Sequence, residues 1–537
     1  MTTLAHWLVT ALEARGLETV FGIPGVHTIE LYRGLAGSRL RHVTPRHEQG
    51  AGFMADGHAR ASGRPAACFI ITGPGMTNIA TAMAQAYADS VPMLVISSVN
   101  RRRELGMQEG RLHELPSQQQ SMSGLCAFSH TLLEPANLPA VLDRAFAVFA
   151  TCRPRPVHIE IPRDLFAAEC PLPAAGPLPV FHPPGADPAA IEQAAQWLNA
   201  ADRPLLLLGG GALHDPDTAR RLAERLDAPT LTTINARGLL GRAHPLDLGA
   251  NATWPAVREH AARADVILAI GTELGETDYD VTFDEGFRLT GRLIRVDIDA
   301  EALSTSHRPA LAMVAEAGGA LRALLPRLEQ GHHAGAATVA SLHGQLALAE
   351  RADMAPFVPL FEMLDRLLPE AIVVGDSTAP VYAGNHLARR GQVRRWFNAS
   401  TGYGALGYAL PAAIGAALGA PRQPDGAPPP VVALVGDGGL MFTLAELATA
   451  RDEHLPLIVI VWHNAGYEEI RHAMDAADVP RLGVDPVAPD FAAIAAGFGC
   501  HWQQLATPGE LAATLSTAAE RQDAPWLIEI DATRWPG

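Results

Sequence analysis

Two stretches of the 537-residue chain carry side chains whose types and spacing suit chemistry on a phosphorylated small molecule. In one, the apolar run Val431–Val435 ends in Gly436-Asp437-Gly438-Gly439. Glycines after a strand let the backbone come close to a phosphate, and the free amides of a following helix, read here as Thr443–His454, attract its charge. An acid at that place repels the phosphate unless a cation stands between them. Asn464 lies 27 residues further on, directly after the apolar run Leu457–Trp462. One helix and one strand between the two residues would put both at the carboxyl edge of neighbouring parallel strands. Asp437, the Asn464 amide, a nearby main-chain carbonyl and diphosphate oxygens are hard ligands suited to Mg²⁺. A turn acid and a strand-end asparagine with no ligand would leave the same letters.

The other stretch, RHEQGAGFMADGHAR, places Glu48 on one helical face with Ala51, Ala55 and Ala59. Residues that small let another surface approach, and a carboxylate on such a face needs a strong partner. An ion pair with Arg46 is the ordinary choice. All 41 basic residues are arginine, since the chain has no lysine, which excludes Schiff-base chemistry and Walker-A phosphate loops. The difficult bond-breaking must fall to something other than a lysine amine.

The elements that position these residues follow from the apolar pattern. Short apolar runs at Ala67–Ile71, Met93–Ser97, Val157–Ile161, Leu205–Leu208, Val266–Ile270, Leu293–Asp297, Ile372–Val374, Val431–Val435, Leu457–Trp462 and Trp526–Ile530 alternate with amphipathic segments. That alternation predicts an α/β protein of doubly wound parallel sheets covered by helices. Stretches rich in proline and small residues, Cys170–Asp187 and Gly331–Ala337, read as linkers. They divide the chain into an N-terminal domain over 1–170, a central Rossmann-like domain over 188–330 and a C-terminal domain over 350–537. Gln423–Pro430 reads as a loop within the last. The first and last blocks echo each other: from the glycine after a strand to the proline opening the next strand is 19 residues for Gly73–Pro92 and 20 for Gly436–Pro456. An internal duplication accounts for this.

Composition narrows the partners. Hydrophobic residues make up 48 % of the chain, enough for several cores, and the formal charge of −16 argues against a general nucleic-acid or membrane-surface role. Five cysteines without any C-x-x-C spacing predict neither a disulfide framework nor a zinc site. No apolar run approaches the length of a membrane span, and the N-terminus lacks a signal-peptide pattern, so a cytoplasmic enzyme of small molecules is expected.

The run GDGGLMFTLAELATARDEHLPLIVIVWHN resembles the thiamine-diphosphate signature of the acetohydroxyacid synthase, benzoylformate decarboxylase and pyruvate decarboxylase superfamily. The resemblance spans nearly the whole chain. It implies pyrimidine-binding, central and diphosphate-binding domains, in that order. It also implies that Asp437, Asn464 and the Gly466 carbonyl bind Mg²⁺, and that Gly436, Gly438 and Gly439 lie along the cofactor diphosphate. Glu48 then hydrogen-bonds the pyrimidine ring, which promotes loss of the C2 proton of the thiazolium. In Ser400-Thr401-Gly402-Tyr403-Gly404-Ala405-Leu406-Gly407, Leu406 would force the bent cofactor shape and the Gly404 carbonyl would hold the 4′-amino group. A tight glycine turn before a helix at Leu410–Leu418 is the plainer reading of that run. Family members pair the glutamate of one subunit with the diphosphate site of another, so a homodimer is the expected minimum and a homotetramer is common.

Three features bear on the reaction with a 2-oxo acid, whose loss of CO₂ is followed either by protonation to an aldehyde or by addition to a second carbonyl. His113, in GRLHELPSQ, stands where acetohydroxyacid synthases usually have glutamine, and a histidine there can donate a proton. A surface histidine is the alternative. The central loop GTELGETDYD carries Glu273, Glu276, Asp278 and Asp280, acids that disfavour the anionic cofactor FAD. Glu468 and Glu469, beside the metal loop, could receive a cationic tail such as a guanidinium, or could simply be a solvated helix face. The first hundred residues look most like the 2-ketoarginine (5-guanidino-2-oxopentanoate) decarboxylase branch. The expected activity is therefore non-oxidative decarboxylation of a 2-oxo acid, with an acetolactate-synthase-like carboligase as the alternative. A catalytically silent binding protein is opposed by the presence of Glu48, Asp437 and Asn464. An NAD or flavin oxidoreductase would use Gly209-Gly210-Gly211, for which no acid partner stands at suitable spacing.

Overall fold

The computed structural model describes residues 2–170, 177–281, 288–345 and 352–536. Three six-stranded sheets, each parallel throughout, carry the chain. A two-stranded antiparallel ribbon of β1 (Thr2–Thr3) and β8 (Glu169–Cys170) ties the ends of the first domain together. The first sheet contains β2 (Thr19–Gly22), β3 (Arg41–Val43), β4 (Ala66–Ile70), β5 (Met93–Val99), β6 (Phe128–Thr131) and β7 (Val157–Pro162), in the order β3-β2-β4-β5-β7-β6. The second contains β9 (Pro204–Leu208), β10 (Thr230–Thr232), β11 (Asp247–Gly249), β12 (Val266–Ile270), β13 (Arg292–Asp297) and β14 (Leu311–Val314), in the order β11-β10-β9-β12-β13-β14. The third contains β15 (Ile372–Gly375), β16 (Trp396–Asn398), β17 (Val431–Gly436), β18 (Ile458–His463), β19 (His501–Leu505) and β20 (Trp526–Asp531), in the order β16-β15-β17-β18-β20-β19.

The first and third sheets thus share one strand order, as the glycine-to-proline echo predicts, while the second has the 3-2-1-4-5-6 order of dinucleotide-binding folds. All ten apolar runs read from the sequence are strands. The others are short, or lie at sheet edges with partly or fully exposed residues, as in β6, β14 and β19, so no continuous apolar run marks them.

The linker readings fare differently. Pro171–Gly176 lies outside the described residues. Around Gly331–Ala337 the chain is packed rather than extended: Gly331 and Gly335 press on the carbonyls of Leu226 and Asp227, and a helix starts at Gly335 and runs to Gln345. Small residues permit that backbone approach as readily as they permit a flexible tether. The helix expected over Thr443–His454 is also shorter: Asp437–Leu440 forms one helical turn, and the helix proper spans Glu446–Asp452.

The helix Glu48–Ser62 lies against the helix Ala409–Gly419 and joins the first domain to the third. A methyl group on Gly57 would strike the Ala412 carbonyl, and one on Gly415 the Met54 carbonyl, so the two backbones touch. Buried side chains reinforce the seam. Asp56 accepts from Arg60 Nε at 2.7 Å and from the Tyr408 hydroxyl, and Arg60 also reaches Asp89 at 2.6 Å.

His158 on β7 is fully buried between Ser97 and Ser129, with ring nitrogens 2.8 and 2.7 Å from their hydroxyls. Desolvation lowers its pKa from 6.5 to about 3. A histidine depressed in this way contributes stability above its unfolded pKa and loses it as pH falls toward the folded value. Stability should therefore drop by roughly 2–3 kcal/mol from this group between pH 7 and 4.5. Denaturant midpoints at the two pH values check this, and His158→Gln should flatten the slope whatever it does to the absolute midpoint.

Candidate active site

Asp437 and Asn464 meet at the carboxyl ends of the adjacent strands β17 and β18, as their spacing requires. Asp437 is buried, its Oδ1 accepts from Gly438 N at 2.9 Å, and the amides of Ala465 and Gly466 also support it. Burial outweighs these contacts and raises its pKa. A carboxylate in this state favours a cation beside it. Asn464 donates to Glu468 Oε2 at 2.6 Å, which turns its amide and leaves the carbonyl oxygen Oδ1 buried with no hydrogen-bond partner. An orphaned amide oxygen next to a desolvated carboxylate is what an oxygen-liganded Mg²⁺ would satisfy. Among the described residues, no group of three or more His, Cys, Asp or Glu could hold a metal, so the remaining ligands would have to be amide, carbonyl and phosphate oxygens.

Gly466 has φ +147° and follows Ala465 at φ +55°, which bends the loop back over the Asp437 turn. Gly438 lies under Tyr467: a β-carbon there would stand 2.6 Å from the ring. With Gly436 and Gly439, both buried, it gives the turn three residues without side chains, the kind of backbone a diphosphate can approach.

Glu48 is the first residue of its helix and is 9 % exposed. Arg46 does not pair with it; that guanidinium turns to Asp452. Instead, Glu48 Oε2 accepts from Asn78 Nδ2 at 2.9 Å, and the other oxygen stands over Gly75. The amides of Arg46 and His47 donate at 3.1 Å to the buried Glu446, so the third domain fixes the chain leading into Glu48. Gly73, the cap of the helix carrying Asn78, is itself held by Gln118, which accepts from Gly73 N at 3.0 Å and Thr72 Oγ1 at 2.9 Å. His113 packs over Gly73 in a left-handed conformation, φ +61°, and is half-buried.

The Gly404–Gly407 loop is clamped from several sides while Gly404 and Leu406 keep access to solvent. Gly404 takes φ +72° with open space where a side chain would stand. Gln85 accepts from Ala405 N at 3.1 Å, and Thr443 Oγ1 donates to the Gly407 carbonyl at 2.7 Å. Asp376, fully buried at the end of β15, accepts from Gly407 N at 2.9 Å; burial lifts its pKa from 3.8 to about 6 despite further support from the Ser377, Tyr408 and Ala409 amides. Sequence reading missed Asn78, Gln118, Asp376 and Glu446. Gln118 is one of three consecutive glutamines, and Asp376 had only its position after an apolar strand to mark it.

Glu468 and Glu469 separate in role. Glu468 orients Asn464, whereas Glu469 is exposed and its charge acts on Tyr382. That phenol is pushed up to about 12 by burial and then by Glu469, Asp376 and Asp280. In the central loop, Glu273 is paired with Arg153 at 2.9 Å and Arg155 at 3.3 Å, and Asp280 with His386 at 3.3 Å. Asp278 lines a cavity of about 610 Å³ among the three domains, where burial raises its pKa from 3.8 to about 7. Gly211 of the triple glycine packs on Gly271 at the rim of this cavity.

The family descriptions that match this chain are thiamine pyrophosphate enzyme, N-terminal TPP binding domain, over residues 2–122; central domain, over 191–324; and C-terminal TPP binding domain, over 376–530. The chain belongs to the thiamine pyrophosphate enzymes. It is 46 % identical, over 98 % of its length and 94 % of the relative's, to a Pseudomonas aeruginosa protein named probable 2-ketoarginine decarboxylase AruI. It is 32 % identical to acetolactate synthase isozyme 1 large subunit of Escherichia coli, over 98 % of this chain and 93 % of that one. With the acetolactate synthase large subunit of Corynebacterium glutamicum the identity is 30 %, over 99 % and 88 %. Among the described residues, no helix is long and apolar enough to cross a membrane.

Proposed function

We propose that the protein is a cytoplasmic, Mg²⁺- and thiamine-diphosphate-dependent decarboxylase that converts a 2-oxo acid to an aldehyde and CO₂, with 5-guanidino-2-oxopentanoate as the favoured substrate. Bound thiamine diphosphate supplies a nucleophilic carbon and an electron sink, the role a lysine plays in other decarboxylases. Asp437, Asn464 and the Gly466 carbonyl hold the cation, and Gly436, Gly438 and Gly439 line the diphosphate. Leu406 and the Gly404 carbonyl set the cofactor's shape from a loop that Asp376 keeps still. Glu48 holds a proton at the pyrimidine ring, with Asn78 fixing the carboxylate.

The placement of His113 carries the choice of reaction. It lies over Gly73, the cap of the helix whose Asn78 binds Glu48, so a histidine shares the glycine turn that supports the pyrimidine carboxylate. Delivery of a proton favours aldehyde release over carbon–carbon bond formation. Glu469, exposed beside Tyr382 and not engaged with Asn464, is the acid suited to a guanidinium tail, and the name of the Pseudomonas relative agrees. The acetolactate synthase relatives favour the second reading, a carboligase joining two 2-oxo acids.

A homodimer, extending to a homotetramer, suits the apolar surface that the single chain leaves open. Met441 and Phe442, directly after the Asp437 turn, are 46 % and 53 % exposed, and Tyr403 beside Gly404 is 58 % exposed. The acids Glu273 and Asp278 in the cavity lining support the absence of FAD, although Arg153 and Arg155 neutralise part of their charge.

A screen of 2-oxo acids, following CO₂ and product identity together, tests the reaction. The guanidino acid should yield one aldehyde per CO₂, and pyruvate alone should yield no acetolactate. Acetolactate as the main product would establish the carboligase instead.

A further inference from the structure

The cavity of about 610 Å³ among the three domains has the size of a small-molecule pocket, and none of the residues assigned above to the coenzyme lines it. Five carboxyl groups and four guanidiniums do, a balance that disfavours a polyanion. Most of these charges are matched. Asp89 takes Arg60 at 2.6 Å, and Arg153 reaches Asp297 at 2.8 Å and Glu273 at 2.9 Å. Glu316 accepts from Gly318 N at 2.7 Å and lies 3.6 Å from Arg322. His214 also lines the cavity; burial and then the charge of Arg394 lower its pKa, so it is neutral at neutral pH. Among the described residues, two charges of the lining remain.

Asp278 is one. No cation among the described residues pairs with it, and it accepts only weakly, from Thr272 Oγ1 and Gly275 N at 3.4 Å each. Burial, then Glu273 and Asp89, raise its pKa, while Gly275 N and Arg153 oppose them. Arg394 is the other. It holds a left-handed backbone conformation, φ +64°, and gives Nη1 to the Arg60 carbonyl at 3.1 Å. Gly63 makes room for its Nη2, since a β-carbon on that glycine would stand 3.1 Å away. No carboxylate among the described residues pairs with Arg394, and burial lowers its pKa. A desolvated carboxyl and a desolvated guanidinium, each without its opposite, cost free energy until a ligand brings both charges.

We propose that this cavity binds a small amphoteric acid, with the ligand's carboxylate on Arg394 and its ammonium or guanidinium on Asp278. Each end supplies the charge the protein leaves unmet, and a guanidinium can give two parallel hydrogen bonds to one carboxylate. A flavin or adenine dinucleotide would bring two phosphate charges to a lining with one guanidinium free. Binding here is separate from the reaction centre and does not depend on the decarboxylase reading.

The test titrates L-arginine and 4-guanidinobutanoate into the full-length protein by calorimetry, and each should bind at one site per chain. Asp278→Asn and Arg394→Gln should each weaken L-arginine at least about tenfold, and Glu469→Gln, at the proposed place of the substrate tail, should leave it unchanged. Agmatine, which has the guanidinium but no carboxylate, should bind the wild type more weakly than L-arginine and lose nothing further in Arg394→Gln. FAD and ADP should bind more weakly than L-arginine. Absence of binding by L-arginine at millimolar concentration, equal affinity in wild type and Asp278→Asn, loss of binding in Glu469→Gln, or preference for FAD or ADP would each overturn the assignment. Asp278→Asn keeps the shape of the side chain and should fold; should Arg394→Gln not fold, Asp278→Asn and the agmatine comparison decide. A wild type that binds L-arginine in this way but releases no CO₂ from any 2-oxo acid fails the decarboxylase reading alone.

Discussion

Glu48→Gln should lower kcat by about two to four orders of magnitude, because the amide can keep a hydrogen bond to the pyrimidine ring but cannot hold the proton there. The fold should survive, since the Glu48 helix is held by its seam with Ala409–Gly419 and by Glu446, neither of which uses the Glu48 carboxylate. Thiamine diphosphate should still bind, because the proposed diphosphate residues all lie on the third domain, away from Glu48. The measurement is turnover alongside cofactor retention, read by tryptophan fluorescence or by coenzyme content after gel filtration. Turnover within a factor of three of wild type would remove Glu48 from its assigned role.

Asp437→Ala should act at the opposite end of the cofactor. Removing the buried Asp437 carboxylate takes away the charged member of the proposed ligand set, and coenzyme affinity in the presence of Mg²⁺ should weaken at least about a hundredfold. The wild type stripped with a chelator should behave like the variant and recover when Mg²⁺ is returned; the variant should not recover. Coenzyme content is again the readout, so the result does not depend on knowing the substrate. Retention of coenzyme by Asp437→Ala, indifferent to chelator, would show that no cation is held at this turn.

These two residues were legible in the sequence for different reasons. Asp437 and Asn464 stand at the ends of apolar strands that are buried on both faces, so the letters alone mark their edge of the sheet. Glu48 was visible as an acid on a face of alanines, but the sequence offered Arg46 as its partner and the structure gives Asn78. A partner 30 residues away comes from the crossing of two helices, which local spacing cannot report. The same holds for Asp376, whose grip on Gly407 joins residues 31 apart. The three sheets were readable because parallel strands need unbroken apolar runs; edge strands and the packed glycines near 331–337 were not, since exposed strands and close-packed glycines both look like loop.

The place where Gly57 and Gly415 bring two helices into main-chain contact has a mechanical consequence. Side chains can change rotamer to let one surface slip over another, but carbonyls and α-carbons cannot, so this joint resists shear far more than an ordinary hydrophobic layer. The first and last thirds of the polypeptide then move as one block. Whatever opening the site needs then falls to segments outside this seam, and the reaction centre keeps its alignment while they yield.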